Sequence, residues 1–255
     1  MKIGLFSDSH YCQAPIPEQG GLTSMSLGKI KAAMEDFKAN NVDLVMCLGD
    51  MVDVCESAEA SRNDLSELIQ VIRSYDLPFL YVTGNHDFNV ASVDELAGLA
   101  CVPVPPNVFR CEEYNIIMLD ANFASDGKHF GPEGYDWTDA NLPDSQLQFL
   151  AKALEESDKE CIIAIHEPID RHTQHERGQF GNWASVNNAE DIRSIIRESG
   201  KVRLVLQGHI HEYYNVEEDG IRYITVKNMC GDTSNHYMIL DWEKDRYELI
   251  LKAKQ

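Results

Sequence analysis

Short apolar runs alternate with amphipathic segments over most of the chain. The apolar runs have the length of buried strands, and the amphipathic segments repeat apolar residues at helical spacing. The runs that predict strands are Lys2–Ser7, Val42–Leu48, Phe79–Thr83, Asn115–Leu119, Cys161–Ile165 and Arg203–Gln207. The segments that predict helices are Ser26–Asn40, Ser57–Ser74, Asp144–Glu156 and Ala189–Ser199. This alternation is typical of an α/β layered fold with helices outside a sheet.

The last quarter of the chain has a different pattern, because strand-like runs follow one another there without a helix between them. These runs are Glu212–Val216, Ile221–Val226, His236–Asp241 and Tyr247–Leu251. Residues 212–255 are therefore predicted to form an antiparallel strand extension that closes a second sheet. No linker or internal repeat interrupts the sequence, so residues 1–255 are predicted to be a single domain.

Composition and charge narrow the class of protein. Of the 255 residues, 44% are hydrophobic and 9% are aromatic, which is enough to bury a sizeable core. The formal net charge is −20, from 22 lysines and arginines against 42 acidic residues. This balance disfavours binding to a nucleic acid such as duplex DNA. Such acidity is typical of a solvated surface, and carboxylates that bind cations are a second source of it.

The cysteines and the apolar runs also bear on where the protein works. The seven cysteines, at positions 12, 47, 55, 101, 111, 161 and 230, contain no C-x-x-C pair. Their odd number and spacing are typical neither of a disulfide framework nor of a thiolate zinc site, so reduced and mostly buried thiols are predicted. No window holds the roughly 18 apolar residues that span a bilayer. A cytoplasmic protein without membrane contact is expected, and its oligomeric state is left open.

Polar turns rich in aspartate, asparagine and histidine follow several of the predicted strands. The turns are Asp8-Ser9-His10, Gly49-Asp50, Gly84-Asn85-His86-Asp87, His166 and Gly208-His209-Ile210-His211. Each turn alone is more often a capped turn or a structural histidine. As an ordered set they offer carboxylate, imidazole and amide ligands from separate strand ends, which favours a two-metal site. Asp50 suits the centre of such a site, because a carboxylate has two oxygens and can bridge two cations.

The order of these motifs resembles that of the calcineurin-like metallophosphoesterase superfamily. The resemblance extends from Asp8 to His211 in the order Asp-x-His, Gly-Asp-x-x-Asp, Gly-Asn-His-Asp, His and Gly-His-x-His. Without a large insert between the second and third motifs, the layout is similar to class III cyclic-nucleotide phosphodiesterases and manganese-dependent ADP-ribose pyrophosphatase-like enzymes. The resemblance implies a four-layer α/β/β/α sandwich of two mixed sheets flanked by helices. It also implies a metal site at the C-terminal ends of the strands.

Carried over to this chain, the resemblance implies two divalent metal ions that share one ligand. One ion would be held by Asp8, His10, Asp50 and His211, and the other by Asp50, Asn85, His166 and His209. His86 would protonate the leaving oxygen, and Asp53 would orient the His86 imidazole. These ligands suit manganese, iron and zinc without a clear choice.

The implied activity is hydrolysis of a small phosphorylated substrate, a phosphodiester or a nucleotide-like ester, by a hydroxide that bridges the metals. Substrate contacts are predicted at Tyr11, His172 and Asn188, in or beside long polar segments that follow metal motifs. Two alternatives remain open. A nuclease of the same superfamily should show a basic track for a nucleic-acid strand, and a non-catalytic scaffold should lack metal ligands or the acid histidine.

Overall fold

The computed structural model describes residues 1–14, 22–134, 136–173, 184–243 and 246–254. The α-helices in these ranges are α1 (Ser26–Ala39), α2 (Ala58–Arg73), α3 (Asn85–Val90), α4 (Val93–Ala100), α5 (Asp144–Glu156) and α6 (Ala189–Ser199). The strands are β1 (Lys2–Phe6), β2 (Leu44–Cys47), β3 (Phe79–Tyr81), β4 (Asn107–Arg110), β5 (Tyr114–Met118), β6 (Glu160–Ala164), β7 (Val202–Gln207), β8 (Tyr214–Glu218), β9 (Ile221–Thr225), β10 (Asn235–Glu243) and β11 (Arg246–Lys254).

The strands form two mixed sheets in the described part of the chain. The order in the five-stranded sheet is β11-β10-β1-β2-β3, and the order in the six-stranded sheet is β4-β5-β6-β7-β9-β8. Strands β1, β2 and β3 run parallel to one another, as do β5, β6 and β7. The carboxyl ends of each parallel set therefore lie together at one edge of their sheet.

Apolar clusters separate the layers. One cluster packs the helices α1 and α2 against the five-stranded sheet, with Phe37 among its buried residues. Another fills the space between the sheets, where Leu5 and Ile116 lie. A third packs α5 and α6 against the six-stranded sheet around Leu150 and Ile192. The predicted four-layer α/β/β/α sandwich of two mixed sheets flanked by helices is confirmed.

The elements that sequence reasoning missed are short. Helices α3 and α4 and strand β4 were not predicted. Helix α3 begins inside the Gly84-Asn85-His86-Asp87 motif, where the sequence pattern is that of a turn. Strand β4 lacks a buried face, since its residues are half-buried or exposed, and so it gives no strong hydrophobic signal.

The strands of residues 212–255 pair as two antiparallel hairpins, β8 with β9 and β10 with β11, and these hairpins join different sheets. Strands β8 and β9 extend the six-stranded sheet, where β9 is parallel to β7, whereas β10 and β11 extend the five-stranded sheet beside β1. A hairpin pattern identifies which strands are neighbours but not the sheet edge they join. Strand β10 is buried on both faces, with Tyr237 toward the helices and Met238 toward the other sheet. The single domain over residues 1–255 stays a prediction.

The prediction of reduced cysteines is wrong for one pair, because Cys12 and Cys55 form a disulfide across 43 residues of sequence. The other cysteines are free thiols, and Cys101 among them is exposed. The spacing of the cysteines does not predict this pairing, because the fold alone brings the two residues together. Among the described residues, no helix has both the length and the apolar character that crossing a membrane requires.

Candidate metal centre

The structure brings all seven predicted metal ligands together. They come directly after strands of both sheets: Asp8 and His10 after β1, Asp50 after β2, Asn85 after β3, His166 after β6, and His209 and His211 after β7. Because these strands are parallel within their sheets, their carboxyl ends open into one shared cleft.

Asp50 lies at the centre of the ligands. Its Oδ2 is 3.1 Å from His166 Nε2 and 3.6 Å from His10 Nε2. His10 Nε2 also lies 3.1 Å from His211 Nε2. His211 Nε2 is in turn 3.4 Å from Asp8 Oδ1. Asp50 therefore contacts one histidine from each predicted ligand set, which is the position that a bridging carboxylate needs.

The surroundings of His166 fit a metal ion. Its Nδ1 donates to the Leu48 carbonyl oxygen at 2.6 Å, which leaves a lone pair on Nε2. Nε2 is buried without a hydrogen-bond partner among the described residues, although it faces Asp50 Oδ2. A lone pair and a carboxylate oxygen at that distance repel each other unless a cation lies between them. Although burial opposes the charged form, the Asp50 carboxylate raises the pKa of His166 well above its usual range, so without a metal a proton would take the position between Nε2 and Asp50 Oδ2 that a cation would otherwise fill.

The late histidines are also held in forms that can bind metal. With its amide oriented to pair with its surroundings, Asn228 accepts a hydrogen bond from His211 Nδ1 at 3.1 Å. That bond leaves the lone pair of His211 on Nε2, the atom that faces His10. Burial and the neighbouring His166 lower the pKa of His209 to about 3, so its imidazole is neutral. A neutral imidazole is the form that ligates metals.

Several candidate ligands have a left-handed backbone conformation that glycine adopts most easily. Positive φ angles occur at Asp8 (52°), His10 (42°), Asp50 (52°), His209 (68°) and His211 (63°). A non-glycine residue in this region is uncommon, and such strain is concentrated at functional sites. The tight turns that follow the strands therefore carry a conformational cost at the residues that would bind metal.

A buried carboxylate that sequence reasoning left without a role supports the central turn. Asp87 accepts hydrogen bonds from the backbone N–H groups of Gly84 at 2.9 Å, Asp50 at 3.0 Å and Met51 at 2.9 Å. Burial and the Asp50 carboxylate raise the pKa of Asp87 to about 6. The available signal was its position, since an acidic residue at the third position of a helix often reaches back to the N-cap N–H.

Two glycines allow the close approach of these turns. A Cβ atom at Gly84 would lie 2.3 Å from Asp50 Oδ1, and one at Gly49 would lie 2.2 Å from His166 Nδ1. Gly49 also has a φ of 103°, which side chains rarely permit. The Gly-Asp and Gly-Asn pairs of the sequence are therefore steric requirements of the site.

His86 and Asp53 lie together beside the ligands. His86 Nδ1 is 3.0 Å from Asp53 Oδ1, and the backbone N–H of His86 donates to Asp50 Oδ1 at 2.8 Å. The other carboxylate oxygen of Asp53 is 3.6 Å from His10 Nδ1. Despite burial, these two histidines hold the pKa of Asp53 well below its usual range. The His86 side chain is 34% exposed, so Asp53 connects a buried candidate ligand to an imidazole that solvent and substrate can reach.

A pocket of about 430 Å³ opens above this cluster. Its lining residues are Asp50, Asn85, His86, Trp137, Ala184, His209, Ile210, His211 and Glu212. Sequence reasoning missed Trp137, whose ring centroid lies 6.1 Å from that of His209 and which is 38% exposed. Its only sequence signal is an aromatic residue within a long irregular segment.

Tyr11, a predicted substrate contact, is not among the residues that line this pocket in the described part of the chain. Its ring is buried in the cluster between helices and sheet, and its hydroxyl donates to Glu67 Oε2 on α2 at 2.9 Å. The backbone of Tyr11 pairs with the segment after Asp50, and this pairing turns the side chain toward the helix layer. Tyr11 therefore packs behind the ligands.

The other two predicted substrate contacts also lie outside the lining. The Asn188 amide donates to the Leu142 carbonyl at 2.9 Å and accepts from the Leu142 N–H at 3.0 Å, so it ties two chain segments together. His172 packs its ring against Tyr214 with centroids 5.2 Å apart. Both side chains have polar or aromatic partners within the protein, which accounts for their polar sequence context without a ligand.

Comparisons with known proteins agree with this geometry. Residues 1–213 match the sequence model of a family described as calcineurin-like phosphoesterase. The chain is 24% identical over 196 residues to a 3′,5′-cyclic adenosine monophosphate phosphodiesterase, CpdA, of Escherichia coli K12; the match covers 76% of this chain and 63% of that protein. It is 22% identical over 221 residues to a 3′,5′-cyclic-nucleotide phosphodiesterase of Nostoc, with 83% and 71% covered.

Among solved structures, a dimetal phosphatase from Danio rerio superposes with a TM-score of 0.81 at 17% identity, over 99% of this chain and 96% of that one. This likeness extends over the whole two-sheet fold. The match to the family's sequence model covers most of the chain and includes every candidate ligand. The chain belongs to the calcineurin-like phosphoesterase family.

Proposed function

We propose that this chain is a metal-dependent phosphoesterase that hydrolyses a small phosphodiester or nucleotide-like ester. The observation that carries the proposal is the convergence of Asp50 and six other candidate ligand side chains at the strand ends, with His86 in the same pocket. The named relatives from Escherichia coli and Nostoc are cyclic-nucleotide phosphodiesterases, which supports a diester substrate. The aligned part is less than two thirds of the Escherichia coli protein, so the substrate is inferred from the pocket as well.

Two divalent ions would be held by ligand sets that share Asp50. The first ion would take Asp8, His10, Asp50 and His211, and the second ion would take Asp50, Asn85, His166 and His209. When bound, such ions neutralise phosphoryl oxygens and activate a water molecule for attack. Mixed carboxylate, imidazole and amide ligands suit manganese, iron or zinc.

Two residues beside the ions, His86 and Asp53, would protonate the leaving oxygen and orient the proton donor. Asp53 accepts a hydrogen bond from His86 Nδ1–H, which fixes the ring and leaves Nε2 to hold the proton that the leaving oxygen needs. Such proton donation typically contributes about 10²–10⁴ in rate. The same carboxylate faces His10, so the orientation of the acid and that of one ligand are set together.

The pocket favours a small substrate with a flat apolar part. Its volume of about 430 Å³ is that of a site for a small molecule. Trp137 is 38% exposed and lines the pocket beside the candidate ligands, and base–aromatic stacking is worth roughly 1–3 kcal/mol. A nucleic-acid strand is a poorer substrate, because the lining within the described residues includes no lysine or arginine and the chain carries a net charge of −20.

A substrate panel tests the proposed activity. The protein, loaded in turn with manganese, iron and zinc, is assayed with cyclic nucleotides, ADP-ribose-like pyrophosphates, glycerophosphodiesters, simple monoesters and single-stranded DNA. Turnover of a cyclic nucleotide or another small diester above that of DNA supports the proposal. Preference for DNA would instead favour the nuclease alternative, and metal loading without turnover of any ester would favour the non-catalytic scaffold.

Two variants test the assigned roles. Asp50→Asn should lose both ions, measured as metal per chain, together with activity. His86→Ala should keep both ions and lose about 10²–10⁴ in turnover, most strongly for diesters with poor leaving groups. Full activity with both ions in Asp50→Asn contradicts the shared site, and an equal loss for good and poor leaving groups in His86→Ala contradicts the acid role.

A further inference from the structure

The Cys12–Cys55 disulfide joins two chain segments of the candidate metal centre. One segment carries Asp8 and His10, and the other carries Asp50. Cys12 follows His10 by two residues, and Cys55 follows Asp53 by two. The Cα atoms of the two cysteines are 5.8 Å apart, a separation that a disulfide spans without backbone movement. The bond therefore closes the ends of two turns whose residues are candidate ligands or position them.

Between the candidate ligands and the disulfide, the two segments are paired through backbone hydrogen bonds. His10 N donates to Asp50 O at 3.0 Å, Tyr11 N donates to Met51 O at 2.9 Å, and Asp53 N lies 3.4 Å from Tyr11 O. These few hydrogen bonds set the distance from His10 to Asp50. The disulfide lies immediately beyond the last of them, so it keeps this short ladder from fraying.

The bond is buried against helix α2, and it joins segments that carry few ligands of the second ion. Cys12 and Cys55 are buried, and Asp64 of α2 lies against them, 3.3 Å from Cys55 Sγ, while its carboxylate accepts from Gln13 N at 2.9 Å. Asn85, His166 and His209 lie after other strands. Of the four ligands of the second ion, only Asp50 belongs to a segment that the disulfide joins.

We propose that Cys12 and Cys55 form a redox-controlled cross-link that determines how firmly the first ion is held. With the bond closed, His10 and Asp50 are kept at their ligand positions. With the bond open, the ladder frays and the first ion dissociates more readily, while the second ion is retained longer. The inference rests on the proposed two-metal site and adds a control over it.

Oxidised glutathione, or another small disulfide, is the oxidant that closes the bond. The first thiol attacks it, forms a mixed disulfide and releases one reduced glutathione. The second cysteine then attacks the mixed disulfide and releases another, so the two thiol protons leave on two glutathione molecules. Dithiothreitol reverses both steps and is itself oxidised.

The first measurement counts thiols. After treatment with oxidised glutathione or dithiothreitol, the protein is denatured and alkylated, and the bond is located by peptide mapping. The oxidised form should show five free thiols, those of Cys47, Cys101, Cys111, Cys161 and Cys230, and the reduced form should show all seven. Seven thiols after oxidation, or five after reduction of the folded protein, would overturn the proposal.

The second measurement follows metal release into excess chelator from both redox forms. Loss of support around metal ligands commonly weakens metal binding by about 10–100-fold. One of the two equivalents should therefore leave the reduced form at least about tenfold faster than it leaves the oxidised form, and the other equivalent should change much less. Equal release from both forms, or equal acceleration of both equivalents, overturns the proposal.

Serine variants separate the bond from ordinary packing. Cys12→Ser, Cys55→Ser and the double variant should all release the first ion at one rate, that of the reduced wild type, because either change removes the same bond. Cys101→Ser is the matched control, since Cys101 is an exposed free thiol, and it should respond to oxidation as the wild type does.

Two further outcomes contradict the inference in different ways. Additive effects of the two serine changes would indicate separate packing roles. A third equivalent of zinc that the reduced wild type retains and the double variant loses would assign the thiols and Asp64 to a metal site of their own. If no form binds any metal while the thiol counts are five and seven, the proposed function fails and the metal control fails with it.

Discussion

The substitution Gly84→Ala tests the close packing on which the central carboxylate depends. The new Cβ would lie 2.3 Å from Asp50 Oδ1 and 2.6 Å from Asp50 N, whereas real Cβ atoms keep about 3.0 Å from such neighbours. The carboxylate must therefore move by at least about 0.7 Å, and the backbone N–H by about 0.4 Å. Gly84 has an extended conformation with φ of −109°, so alanine is not strained there for any other reason.

The expected cost follows from that displacement. A functional group misplaced by about 1 Å can lose 10²-fold in rate, so kcat/KM should fall about 100-fold, or roughly 2.7 kcal/mol of transition-state stabilisation. Metal content should fall below two equivalents per chain, because the proposed bridging oxygen has moved. Overpacking of this kind costs about 1–3 kcal/mol in stability, which urea unfolding measures.

Gly28→Ala is the matched control for this prediction. Gly28 lies in α1 and a Cβ there meets no atom within 4 Å, so the same change should stabilise the protein by about 0.5–1 kcal/mol and leave metal content and activity unchanged. If Gly84→Ala keeps two metal equivalents and activity within twofold of the wild type, the close-packing argument for Asp50 is refuted.

The remaining predictions concern residues around the site. Trp137→Ala should raise KM for a nucleotide diester about tenfold or more and leave KM for an aliphatic diester unchanged, because only the former can stack; equal KM changes contradict a stacking role. Tyr11→Phe should cost about 0.5–1.5 kcal/mol in unfolding free energy through loss of its hydrogen bond to Glu67, with KM unchanged; a raised KM would return Tyr11 to the substrate site. His129 Nε2 lies 2.7 Å from Asp120 Oδ2, and although burial opposes it, this carboxylate raises the pKa of His129. The resulting stabilisation is complete below the unfolded pKa of about 6.5 and is lost as pH rises through the raised folded value, so His129→Gln should be more destabilising at about pH 5.5 than at about pH 8.5 in urea unfolding; a gap that does not shrink with pH contradicts the pairing.

The candidate ligands could be predicted because their positions depend on local sequence and one topological rule. Each follows an apolar run, and the carboxyl ends of parallel strands meet at one edge of a sheet. Asp53 could be placed for the same reason, since it lies three residues beyond Asp50 in the same turn. The hydrophobic pattern identifies the strand that each side chain follows. This information is sufficient to predict a site that is built at strand ends.

Side-chain direction beyond those turns could not be predicted. Tyr11 is one residue past His10, yet backbone pairing turns it toward α2 and away from the pocket. Asn188 is polar in a loop, which is equally true of a substrate contact and of the clamp that it forms on Leu142. Trp137 reaches the pocket from an irregular segment without periodicity. In each case, packing between segments that are distant in sequence decides where the side chain points. The hydrophobic pattern of the sequence does not predict this packing.

Strain and charge at the centre point to a site that retains its metals. Candidate ligands such as His10 and His211 keep positive φ angles, which cost free energy that a metal-free protein does not recover through binding. Burying the carboxylates of Asp8 and Asp50 costs desolvation free energy, which the neighbouring imidazoles offset only when they are protonated and which cations would offset in their place. A scaffold that had lost its metals would gain stability by relaxing these turns or replacing the carboxylates. Because both costs are still present, the geometry favours a working metal centre over the non-catalytic alternative.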